Sequence, residues 1–106
     1  MIVGPELRKQ SREIMPWGVD FAAELGVGET ISAAVFRAIK ESDASDATSA
    51  LSQGSTGTSN GLVTQTIKAG AHGDRYTLEL KITTSLGHVW EAEQRLRIVD
   101  VLTPPA

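Results

Sequence analysis

The clearest pattern of apolar and polar positions lies in the C-terminal third. From Asp74 to Thr84 the chain reads DRYTLELKITT, in which Tyr76, Leu78, Leu80 and Ile82 alternate with Arg75, Thr77, Glu79, Lys81 and Thr83. An alternation of period 2 puts the apolar set on one face of an extended backbone, which predicts a half-buried strand. Ser85, Leu86 and Gly87 make a turn, where Gly87 supplies the positive φ that side chains resist. A second alternating run from His88 to Val99 sets Trp90, Ala92, Leu96 and Ile98 against Glu91, Glu93, Arg95 and Arg97. Together the runs predict a long antiparallel hairpin with one buried and one charged face.

The pattern weakens upstream. Gly61 to Lys68 (GLVTQTIK) is rich in Val, Thr and Ile and predicts a shorter strand. Glu41 to Asn60 holds six Ser, three Thr and one Leu, the composition of a mobile loop. A structureless stretch of that length is uncommon inside a compact domain, so short polar strands at Thr48 to Gln53 and Thr56 to Ser59 are an equal alternative. Residues 30 to 40 fit two periods, the helical one slightly better. Ile31, Ala34, Val35, Ala38 and Ile39 form a helical stripe behind Thr30 as N-cap, but Ile31, Ala33 and Val35 also alternate against Phe36 as in a strand. Ile14 to Phe21 predicts a strand that Pro16 confines to a sheet edge, and Asp20 to Leu25 a helical turn before Gly26-Val27-Gly28. The first dozen residues, with Arg8, Lys9, Gln10, Ser11 and Arg12 in succession, carry no core pattern and read as an arm. The tail LTPPA cannot extend a ladder, because Pro104 and Pro105 lack the amide donor. The expected organisation is an arm (1–13), one β domain (14–99) and a short tail (100–106).

Composition narrows the function more than the fold. A chain of 106 residues is one domain, with room for one core but not for a core plus a deep pocket. The net charge of -3, with no basic stripe, gives no electrostatic case for nucleic acid or an anionic membrane as partner. The absence of cysteine excludes disulfides and thiolate metal sites. No apolar run approaches the length of a membrane span, and MIVGPELRKQSRE has no secretory h-region, so synthesis and folding in the cytoplasm are expected.

Candidate chemistry is sparse. His72 and His88 would need converging carboxylates to act as bases or ligands, and Asp74 beside His72 reads as a turn pairing. Glu91 and Glu93 share a strand face about 7 Å apart, but Arg95 and Arg97 lie on the same face and make a solvated charge ladder the better reading. Ser49, Ser52 and Ser55 have no nearby base. Gly26 and Gly28 precede no phosphate-loop Lys, and Asp43 and Asp46 lack the Gly and Glu of a calcium loop. No catalytic, cofactor or metal site is expected, and the chain is not expected to be an enzyme.

The most specific local signal is Gly70 to Tyr76 (GAHGDRY), which joins the end of one strand to the start of the long one. In immunoglobulin-like sandwiches a Tyr at that corner lays its ring on the core and bonds its hydroxyl back to the upstream backbone. A chain crossing between sheets leaves backbone groups unpaired, and Tyr brings an apolar body with a polar tip. Gly70, Gly73 and Tyr76 are the expected corner residues, and Leu78 stands where an antibody domain carries its second cysteine.

With this corner in place, the chain resembles the small Ig-like proteins of tailed phages known as fiber–tail adaptor or neck-region virion proteins. The resemblance covers residues 14 to 99. It rests on Asp20-Phe21, on Gly28-Glu29-Thr30-Ile31, on Gly70, Gly73 and Tyr76, and on Thr83, Thr84 and Gly87 at the hairpin turn. Phe36 departs from it, standing where the family carries a Trp, and residues 1–13 and 100–106 match nothing in it. The resemblance implies an all-β fold, an immunoglobulin-like antiparallel β-sandwich of about seven strands. On that basis residues 30–40 are expected to be a strand. It implies a non-catalytic virion protein at the neck or tail, in a homo-oligomeric ring, linking a fiber or neighbouring subunit to the particle. A capsid decoration protein and an Ig-like adhesion or carbohydrate-binding module are the alternatives. The expected partners are other virion proteins, neither nucleic acid nor membrane. Glu6, Arg8, Lys9 and Arg12 of the arm, with the Ser/Thr-rich stretch, are the candidate contact residues.

Overall fold

A computed structural model describes residues 2–100, and the proline tail expected at the C-terminus lies outside them. Two sheets share one core. The larger is built on the hairpin: β7 (Arg75–Thr84) and β8 (Val89–Ile98) pair antiparallel from Arg75↔Arg97 to Thr83↔Val89. On the far side of β7 lies β4 (Ile31–Lys40), antiparallel to it. The outer side of β8 carries β1 (Ile2–Val3) and β2 (Leu7–Lys9), both parallel to it. The smaller sheet orders β3 (Met15–Asp20), β6 (Leu62–Ile67) and β5 (Ser52–Ser59), all antiparallel.

The core follows the alternation. Tyr76, Leu78, Leu80 and Ile82 from β7 and Ala92, Leu96 and Ile98 from β8 are buried, and Val63 and Ile67 of β6 meet them from the other sheet. Burial of each Leu or Ile removes apolar surface from water and stabilises by roughly 1.5–3 kcal/mol. Two contacts of Trp17 link the sheets. Its ring meets Phe36 of β4 edge-on at 6.0 Å, and its indole N–H donates to Gln94 Oε1 of β8 at 2.7 Å.

Residues 30–40 are strand. Phe36 and Ala38 face the core while Ala33, Val35 and Arg37 face out, and pairing with β7 requires period 2 rather than 3.6. Pro16 sits on β3, an edge strand of its sheet, and a 3₁₀ turn at Ala22–Glu24 follows. The Ser/Thr-rich stretch splits in a way composition does not foresee. Thr48–Leu51 form a single helical turn, α1, that drives Leu51 into the core, and Ser52–Ser59 form β5. Gln65 of β6 replaces apolar packing there. It is buried, accepts from Thr56 Oγ1 and donates to the carbonyls of Gln53 and Gly54, holding the bulge in β5. Residues 2–9 lack a core pattern because their pairing is a matter of backbone, which side-chain periodicity does not report.

Candidate functional site

The corner closes on itself. Gly70 and Gly73 both take positive φ, at 92° and 91°. A Cβ on Gly70 would lie 2.7 Å from Ile98 Cγ1, so the close approach as well as the conformation requires glycine. Backbone bonds from Gly73 N to Ile98 O and from Ile98 N to Asp74 O fasten the corner to β8. The Tyr76 ring is buried. Its hydroxyl donates to Asp74 Oδ2 at 3.0 Å, so the expected bond to an upstream backbone carbonyl is replaced by one to a carboxylate two residues away. A carboxylate is the stronger acceptor, and it also meets Lys40 at 3.8 Å. Burial, reinforced by the Asp74 bond and charge, pushes the Tyr76 phenol up to about 12.

The candidate contact residues separate. Glu6, Arg8 and Arg12 are exposed. Lys9 is only 1% exposed and offers no contact surface. Its ammonium donates to Ala69 O at 2.7 Å and to Gln10 O at 2.9 Å, and desolvation lowers its pKa below the usual lysine value. A basic run does not reveal this, because alternation in β2 turns Lys9 inward and Arg8 outward.

The paired chemistry also differs from the sequence pattern. His72 accepts from the backbone N–H of Asp100 and makes no pair with Asp74. His88 instead meets Glu29, 59 residues away, with Nδ1 2.7 Å from Oε2. Glu29 also accepts from Gly26 N and Thr84 Oγ1, and these bonds, with Gly26 foremost, hold its carboxyl below the usual range. The cluster ties the turn at residues 26–29 to the hairpin turn. A pair this distant in sequence has no local signature. Among the described residues no group of three or more His, Cys, Asp or Glu is placed to hold a metal ion.

The larger sheet presents two unlike edges. At β4, the amides of Ala38 and Lys40 are covered by Thr48 Oγ1 and Ser45 O, and Ala38 O accepts from Ala47 N. Ala34 and Phe36 share that phase, so their N–H and C=O groups also point away from β7, and no such cover reaches them among the described residues. Val35 between them is 58% exposed, and the segment ISAAVF carries no charge or proline to blunt the edge. At the opposite edge, β2 presents charged side chains.

A family model described as podophage GP4 fiber-tail adaptor protein gp77 matches residues 9–97, well over half of the chain. No curated protein matches it.

Proposed function

We propose, from the premise that the chain belongs to the podophage GP4 fiber-tail adaptor family, that it is a non-enzymatic structural component of the virion that joins a fiber to the tail. The match over residues 9–97 is the observation that carries this reading. An adaptor needs two separate contact surfaces. The open β4 edge and the β2 side of the same sheet supply them, three strand spacings apart, or roughly 14 Å. The β4 edge would take an extended segment of one partner as an added strand, since unpaired N–H and C=O groups gain their missing bonds that way. Glu6, Arg8 and Arg12 would contact the other, and the Ser/Thr-rich β5 borders the second sheet as a further polar rim.

The fold is read as immunoglobulin-like, with residues 14–99 as the domain and residues 1–13 as an arm laid along its last strand. Taking β3 to β8 as strands B to G, the pairing orders B-E-D and C-F-G agree with that arrangement, and Tyr76 falls at the E–F corner. Residues 14–99 then supply six strands, and β1 with β2 in the arm stand where strand A would, as the seventh. A ring of identical copies around the tail is part of the reading.

The test is to separate purified particles into heads, tails and fibers and to follow the chain by mass spectrometry. The expected result is recovery with tails. Recovery with heads, at one copy or more per capsid subunit cluster, would favour a decoration protein and remove the adaptor reading.

A further inference from the structure

Arg8 of β2, Arg97 of β8 and Arg75 of β7 stand in register, Arg8↔Arg97 and Arg97↔Arg75. All three lie on the outer face, because Leu7, Lys9, Tyr76, Leu96 and Ile98 turn the other way. Half of the six arginines of a chain with net charge -3 therefore form one row, with neighbouring Cα atoms about 5 Å apart. Like charges directly opposite one another on a sheet destabilise it, and Thr or Gln at these positions would pack without that cost. The ion pairs among the described residues are Lys40–Asp74 and Arg95–Glu41, and neither these nor the His88–Glu29 contact uses a member of the row.

Elsewhere on the face opposite charges partly pair. Lys81 pairs in register with Glu91, and Arg37 with Glu79. Beyond these pairs Glu93 stands in register with Glu79, and Glu41 is bonded through its backbone to Arg75, so acid flanks the sheet positions beside the row while no in-register carboxylate faces Arg8 or Arg97. The chain's own residues 101–106 (VLTPPA) contain no acidic side chain to cover it.

We infer that the arginine row is the docking site for a carboxylate-rich segment of another protein of the particle. Guanidinium groups bind carboxylates in a planar, two-bond geometry that lysine cannot reproduce. A polynucleotide fits less well: the row is only about 10 Å wide, and Glu41, Glu79 and Glu93 flank it on the same sheet. A groove of about 450 Å³ lined by Glu6, Thr77, Glu93, Gln94 and Arg95 runs beside the row, and its two carboxylates confine the acidic part of a bound segment to the row itself. The inference rests on the adaptor reading for the existence of a partner, but not for the partner's charge.

The experiment measures fluorescence anisotropy of a labelled hexaglutamate peptide with the full chain. The controls are a hexaserine peptide, a short single-stranded DNA and the variant Arg75→Gln/Arg97→Gln. Wild type is expected to bind hexaglutamate, more weakly as salt rises, and the variant roughly tenfold less. The variant is also expected to melt no lower than wild type, since neutral amides remove the repulsion between positions 75 and 97. Equal binding by variant and wild type, or tighter binding of the DNA, would overturn the inference. So would self-association of the chain that the variant abolishes. Binding of hexaglutamate by a chain that is absent from tails would uphold the row and reject the adaptor reading, so the two fail separately.

Discussion

At the residue scale, Gly70 and Tyr76 decide the corner. Gly70→Ala puts a Cβ into Ile98 at a φ of 92°, and an expected loss of roughly 2–4 kcal/mol would be measured by urea unfolding. Tyr76→Phe keeps the ring but deletes the bond to Asp74, with an expected loss of about 1–2 kcal/mol. The burial of this phenol, reinforced by its bond to Asp74, has a pH signature. The folded phenol is raised to about 12, so the folded state holds a proton that the unfolded chain releases nearer 10. Stability is therefore constant below the unfolded value and falls as pH rises from about 10 to 12. Tyr76 is the only tyrosine, so phenolate absorbance follows it alone; titration at an ordinary tyrosine value in the folded protein would refute the buried bond. The positive φ of Gly70 and Gly73 and the burial of the Tyr76 ring follow from residue type, but the acceptor of the hydroxyl does not, since Asp74 takes the place of the expected backbone carbonyl. Lys9 was not legible, because its neighbours are carbonyls, and main-chain partners leave no trace in residue type.

At the scale of elements, legibility followed the strength of alternation. The hairpin alternates from Tyr76 to Ile82 and from Trp90 to Ile98, with Gln94 the one polar residue on the inward side, so its buried face could be read directly. β4 satisfied two periods at once, and pairing with β7 decided between them. β5 has no apolar face at all. It is held by β6 and by one buried amide, Gln65, whose role depends on residues eleven and twelve positions away. The open part of β4 makes a distinct prediction. Val35→Lys places a charge on an exposed, uncapped edge, so the fold should change by less than about 0.5 kcal/mol. Strand addition should weaken, and pull-down of the partner that uses this edge should fall severalfold. Undiminished capture would place that contact elsewhere on the molecule.

At the scale of the whole molecule, the two edges of the larger sheet differ in chemistry: backbone bonding at β4, charge at β2. Two unlike edges suit a protein that holds two different neighbours. The sequence pointed to the family through short turn and corner motifs, but register in space, which aligns Arg8, Arg97 and Arg75, exists only after folding. The most direct measurement is reconstitution: tails lacking both the chain and its fibers are mixed with purified fibers, with and without the chain, and sedimented. Joining through this protein predicts that fibers travel with tails only when the chain is added. Fibers that attach equally well without it would contradict the adaptor account.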